Sequence, residues 1–281
     1  MYNKEFAAAA NAAADKFALL KKNPLGYFLF SMLAGAFVGF GVILAFTIGG
    51  LLTGLPYARV VMGTSFGVAL SLVIMAGSEL FTGNTFVMAA GVIRKQARIS
   101  DTVRLLIVCW LGNLAGSIVL ALVYHGTGLA SDPVGPFIAA GALAKMSASV
   151  GQLFLRGILC NMLVCLAVWC SFRTKSDSAK LIMTFWCIFA FFTGGYEHSV
   201  ANMTLFTEAL LNPCGQAVSL GGAFYNLLFV TLGNITGGII FLAIPYSIGS
   251  REQKKNSLQS FKIPAHSRSA GRPAGNGHLY S

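Results

Sequence analysis

Residues 194–203 read GGYEHSVANM, a polar interruption in a run with no charged residue from Leu181 to Tyr196. It sets a carboxylate, Glu197, beside an imidazole, His198, where a charged side chain costs about 2.5–3.5 kcal/mol at the centre of a bilayer. The surrounding segment, 179–211, is too long for one plain crossing, since at about 1.5 Å per residue it exceeds a hydrocarbon core roughly 30 Å thick. A broken helix explains both facts, because irregular backbone at membrane depth survives where it is buried in protein or faces water. A second stretch has the same build: residues 77–84, GSELFTGN, interrupt the long run 60–92. Glu79 and Asn84 are spaced as Glu197 and Asn202 are, at an offset of 118, and LGNLAG at 111–116 returns as LGNITG at 232–237, at an offset of 121. Spans one to three therefore repeat as spans four to six. Three is odd, so the halves are inverted. Paired interrupted segments in inverted halves point to a transport site near the midplane.

Composition fixes the class. The 281 residues are 56% hydrophobic and 10% charged, and Asn23–Ala58, Leu105–Ser131 and Ala209–Ser250 also carry no charge. About 20 apolar residues cross a bilayer as a helix. The expectation is an all-α membrane protein with six spans, near 26–53, 60–92, 103–125, 152–172, 179–211 and 221–249, of which the second and fifth are broken. The net charge of +11 does not indicate a nucleic-acid partner, because 17 of the 20 basic residues fall in four segments: Lys4–Lys22, Arg94–Arg104, Arg173–Lys180 and Arg251–Arg272. These alternate with basic-poor loops, which places both termini on the cytoplasmic side of the cell membrane. No secretory signal pattern precedes them: the first 22 residues contain acids and lack a compact apolar core.

Three regions follow. Residues 1–22 repeat Phe6, Ala10, Ala13, Phe17 and Leu20 near helical spacing, as an amphipathic helix lying on the membrane does; a soluble Ala-rich lead-in helix is the alternative. Residues 23–250 form the six-span domain, with a long external loop at 126–151. Residues 251–281 are rich in Ser, Gly, Pro and Lys and read as a disordered cytoplasmic tail. Of the six cysteines, Cys160, Cys165 and Cys170 recur at five-residue steps that do not share a helix face. They read as packing residues, and no metal or other cofactor is expected.

Glu79 and Glu197, with Asn84 and Asn202, read as structural anchors of the breaks, the carboxylates accepting backbone N–H groups where each helix restarts. Bare carboxylates in the path of an anion would repel it. His198 has two readings, a hydrogen-bonded core residue or a pore residue that supplies a donor or a proton to a passing anion. Its place between paired breaks favours the pore. Thr82, in the opposite loop, offers a hydroxyl to the same ion.

AGSELFTGN, LAKMS, RGILCNMLVCLAVW, GYEHSVANM and VTLGN resemble the formate/nitrite transporter family over about residues 15–250, closest to its nitrite and hydrosulfide channel branches. The resemblance implies an aquaporin-like six-span protomer in a homopentamer, with one pore per protomer. It implies passage of nitrite, or alternatively hydrosulfide or formate, down a gradient or together with a proton. It also implies roles: His198 as the central histidine, Thr82 as its counterpart, Lys145 as an anion-attracting lysine on the external side, and Asn161 as a polar pore-side residue. Leu80 and Phe191 are implied as an apolar constriction on the cytoplasmic side, and the N-terminal helix matches a segment proposed to gate formate relatives.

Two other classes compete. A membrane enzyme with His198 and Glu197 as acid and base would lack any accompanying nucleophile, metal cluster or cofactor motif. A water or glycerol channel of similar architecture would show Asn-Pro-Ala at the breaks, where this chain has TGN and VAN.

Overall fold

The computed structural model describes residues 2–250, and the regular structure within them is helical. The expected tail, 251–281, lies outside the described residues. Helices α1 (Asn3–Lys22), α2 (Pro24–Leu51), α3 (Ala58–Phe66), α4 (Val68–Ala76), α5 (Phe81–Ile93) and α6 (Ile99–Gly126) make up the first part. Helices α7 (Val134–Met146), α8 (Val150–Arg173), α9 (Asp177–Gly194), α10 (Ser199–Leu211) and α11 (Leu220–Gly238) follow, and a π-turn over Ile239–Ala243 leads into α12 (Ile244–Gly249). Local chemistry marks the starts: Asn23 accepts the Gly26 N–H ahead of Pro24, Ser149 and Gln152 close a capping box on α8, and Ser176 and Ser219 cap α9 and α11.

Among the described residues, five stretches are long and apolar enough to cross a membrane, and the bent pair Asp177–Gly194 and Ser199–Leu211, 55° apart, makes a sixth if it is one span. The expected spans match these within a few residues except the second, 60–92, where Ala58–Ala76 is long enough to cross by itself and Phe81–Ile93 is a separate shorter apolar helix. The expected external loop does not: half of it is the helix α7, with Pro133 as N-cap and Pro136 in the first turn, where a missing N–H breaks no intrahelical bond. Polar side chains are gathered inside among the apolar core, and large apolar ones are also left on the outside. Asn113, Asn161, Asn202, Asn226 and Asn234 are buried while Leu29, Phe40, Leu111, Phe224 and Ile240 are exposed.

The most extensive packing pairs α2 with α6 and α8 with α11, the same partnership in each half. The LGNLAG and LGNITG motifs make it possible. A Cβ on Gly116 would meet the Met32 carbonyl, and one on Gly237 would meet the Ile158 carbonyl, so both backbones approach as only glycine allows.

The apolar face of α1 is turned inward rather than toward lipid. Phe6, Ala9, Ala10, Ala13 and Leu20 are buried, mainly against α5. Its start is held by Glu5 and Arg173, 3.1 Å apart, and by the Arg173 guanidinium 4.4 Å over the Tyr2 ring. The alanine stripe explains this docking, because small side chains let α1 approach Gly91 of α5 closely.

Candidate functional site

The two breaks are built alike. Each first half-helix ends at a glycine with φ +75°, Gly77 after α4 and Gly195 after α9, a left-handed backbone that favours glycine. Each second half-helix has 13 residues and starts 118 positions from its counterpart, behind an extended N-cap, Leu80 for α5 and His198 for α10. Asn113 Oδ1 accepts the Phe81 N–H at 2.9 Å, while its amide donates to the carbonyls of Glu79 and Ser31 at 2.9 and 2.7 Å. Asn234 repeats this with the Ser199 N–H at 3.0 Å and the carbonyls of Glu197 and Gly157 at 2.9 and 2.8 Å. These asparagines, the N of each LGN motif, do what the carboxylates were expected to do.

The glutamates serve differently. Lys16 of α1 donates to both oxygens of Glu79 at 2.7 Å, and Lys145 of α7 donates to Glu197 at 2.8 Å. Asn84 and Asn202 complete the pairs, donating at 2.8 and 2.7 Å. Each buried acid is thereby paired and hydrogen-bonded, the condition under which a charge persists at such depth. Asn202 also donates to Asn226 at 2.8 Å, and Asn226 donates to the Lys145 carbonyl at 2.9 Å, which fixes the backbone of that lysine.

His198 meets Thr82 across the breaks, Nε2 to Oγ1 at 3.0 Å, with both residues buried. The other ring nitrogen settles the tautomer. The Ala201 N–H donates to Nδ1 at 3.0 Å, and a peptide N–H can only donate, so Nδ1 holds a lone pair and Nε2 carries the proton. His198 is thus the N-cap of α10 and a donor to Thr82, whose own O–H is free to point elsewhere. An imidazolium would set two donors face to face at Nδ1 and lose the cap. Of the two expected uses of the histidine, the geometry favours the hydrogen bond over the loan of a proton. Phe191 stacks on the imidazole, with centroids 5.7 Å apart and planes 21° apart.

Two cavities approach this pair. One, of about 480 Å³, is lined by Lys145, Glu197, His198 and Phe191, together with Arg59 and Arg156. The other, of about 350 Å³, is lined by Lys16, Glu79, Asn84 and Leu80. A void of about 10 Å³ shares Leu70 and Leu80 with the second cavity and Phe191 and His198 with the first. It has room for about one water. Leu80 and Phe191, expected together on one side, border different cavities, with the void between them.

Asn161 lines none of these spaces. Its amide donates to the Thr82 carbonyl at 3.3 Å, to Thr85 Oγ1 at 2.9 Å and to the Asn234 carbonyl at 2.6 Å, which ties one break to the other. Thr85 and Cys165 also donate to the Thr82 carbonyl, at 2.7 and 3.3 Å, and Cys109 donates to that of Glu79 at 3.2 Å. Cys165, read from the sequence as a packing residue, and Cys109 therefore help hold the breaks. Lys16, Arg59 and Arg156 were not singled out from the sequence. The last two are, with Lys145, the basic residues outside the four basic clusters, a signal that was present.

Residues 3–248 match the family described as Formate/nitrite transporter. The chain is 47% identical over 240 residues to the nitrite transporter NirC of Salmonella typhimurium (strain LT2), an alignment covering 85% of this chain and 88% of that protein. A solved FNT family ion channel superposes with a TM-score of 0.84 at 43% identity, covering 88% of this chain and 99% of that one. A pentameric formate channel with formate bound superposes with a TM-score of 0.72 at 28% identity, covering 81% and 98%.

Proposed function

The chain belongs to the formate/nitrite transporter family, and on that premise we propose that it is a nitrite channel of the cytoplasmic membrane, assembled as a homopentamer with both termini cytoplasmic. The observation that carries this reading is His198, hydrogen-bonded to Thr82 and bordering a small void between two cavities whose other walls are apolar side chains. The likeness to NirC supports nitrite, and the likeness to a pentameric formate channel supports five protomers. The distribution of the basic residues supports the orientation.

Nitrite enters from the Lys145 cavity and leaves its water behind at Phe191, because the void beyond has no room for a hydrated ion. The ion takes over the Nε2–H that His198 otherwise gives Thr82, and the Thr82 O–H turns to it as the second donor. The N-terminus of α5, which Leu80 leaves without a side-chain cap, adds its partial positive charge. No fixed positive charge lines the void itself, and Lys145 and Lys16 on either side are each engaged with a glutamate. The ion then passes Leu80 into the Lys16 cavity. Phe191 and Leu80 must both turn aside, so each face of the void is a gate.

Flux into proteoliposomes tests this. Nitrite is expected to equilibrate within the protein-containing vesicles and glycerol is not. Glycerol swelling without nitrite flux contradicts an anion channel. Flux of hydrosulfide without nitrite keeps the channel and removes the ion assignment. Cysteine labelling near Ser131 from outside intact cells, with a C-terminal label protected, tests the orientation.

A further inference from the structure

The two cavities differ in charge. The Lys16 cavity carries one lysine and one glutamate, engaged with each other, and no further charged residue lines it. The Lys145 cavity carries three cations against one carboxylate. Glu197 is taken by Lys145, which leaves the guanidinium groups of Arg59 and Arg156 without a hydrogen bond or ion pair to any described residue. Two unpaired arginines in one concave space give it a positive charge that the protein does not neutralise. Their placement is not a by-product of packing. Arg59 packs so closely on Gly195 that a Cβ there would overlap its Nη2, so this break residue holds the guanidinium against the cavity wall. Arg156 stands in the first two turns of α8, and its carbonyl accepts the Glu197 N–H at 3.3 Å, which fixes its backbone to the break itself. Together with Lys145, these are the basic residues outside the four clusters that the membrane's charge asymmetry explains, and all three line this one cavity.

Resting on the channel reading above, we propose that Arg59 and Arg156 form a capture site for small anions with two oxygens on one centre, the bent O–X–O shape of nitrite and of carboxylates, ahead of the His198–Thr82 pair. A guanidinium presents parallel N–H groups that match two oxygens at once, whereas an ammonium is a point charge and a monatomic acceptor such as hydrosulfide takes one bond. The site thus prefers nitrite and formate to hydrosulfide at the entrance, while the central donor pair, with single donors from each side, does not distinguish them by shape. Its fixed charge also concentrates anions on this face alone, so entry from the Lys145 side is faster than from the Lys16 side.

Two measurements test the site, one independent of transport. In purified wild-type protein, phenylglyoxal modification of Arg59 and Arg156, mapped by mass spectrometry, is expected to be suppressed by nitrite and by formate at concentrations where chloride and hydrosulfide protect little. In proteoliposomes, the Arg59→Gln/Arg156→Gln double variant is expected to raise the nitrite concentration for half-maximal flux from that side by on the order of three- to tenfold, with a flatter dependence on ionic strength and little change in maximal flux. Protection without nitrite flux keeps the site and refutes conduction. Flux with neither protection nor a shifted half-saturation in the double variant keeps the channel and overturns the site.

Discussion

The breaks at Gly77–Leu80 and Gly195–His198 are one structure used twice with different centres. Both end on a left-handed glycine, both restart 13-residue helices under an asparagine from the neighbouring span, and both pair a glutamate with a lysine and an asparagine. They part at the N-cap. Leu80 offers α5 nothing, and His198 offers α10 an acceptor and the opposite break a donor. They part again in what pairs the acid: Lys16 comes from the N-terminal helix, Lys145 from the helix between the halves. What is common to the breaks holds them open in a membrane, and what differs concerns the ion.

The common parts are expected to give matched, large losses. Asn113→Ala leaves the Phe81 N–H and two buried carbonyls without their partner, and Asn234→Ala does the same in the other half. At about 1–3 kcal/mol per unsatisfied buried group, each variant is expected to lose at least about 3 kcal/mol and most of its oligomer. Thermal melting in detergent reads this. A loss confined to one half means the breaks are not equivalent.

The glutamates sharpen the comparison. Glu197 is more deeply buried than Glu79, with side-chain exposures of 3% and 11%. Removing one partner of a buried pair costs about 3–5 kcal/mol, and less where the other charge reaches water, as both lysines partly do. Glu197→Gln is therefore expected to destabilise more than Glu79→Gln, with the ion preference of folded protein unchanged in both. A stable Glu197→Gln oligomer with an altered preference shows the glutamate acting on the ion, against the anchor reading.

The smallest effects belong to the glycines. A left-handed non-glycine residue costs about 1–2 kcal/mol, which is all that Gly77→Ala should lose, since nothing lies within 4 Å of its added Cβ. Gly195→Ala must also displace Arg59 and is expected to lose more, and to raise half-saturation for nitrite as the arginine variants do. Equal melting temperatures for the two variants would remove the clamp on Arg59.

The six spans, the two breaks and the repeat were legible because each is written in hydropathy or in spacing. Glu79 and Asn84 against Glu197 and Asn202 gave the pairing of the halves. The partners were harder to see. Asn113 and Asn234 were noticed as a repeat, yet a buried asparagine shows its three bonds only when the spans are brought together. Lys16 looks like any solvated lysine of a lead-in helix, because its partner lies 63 residues away. Leu80 follows Glu79 while Phe191 sits in the apolar run FAFF, and nothing in one dimension separates them to two sides of a void. The family resemblance implies a pore-side role for Asn161, and its amide instead faces three acceptors of the scaffold.

The central claim is that His198 serves as a neutral, fixed donor with Thr82, the one feature the Leu80 break lacks. Nitrite flux through wild type, His198→Leu and His198→Asn between about pH 5 and 8, the range in which a free imidazole titrates, tests it most directly. His198→Leu copies the silent break into the active one and removes a cap worth about 1 kcal/mol. It is expected to assemble and to conduct no nitrite. His198→Asn keeps an acceptor for the Ala201 N–H and a donor toward Thr82, and is expected to conduct with the pH profile of the wild type. Wild-type flux through His198→Leu, or a profile in His198→Asn that no longer changes with pH, contradicts the account: the first because no donor is needed, the second because the imidazole itself carries the proton.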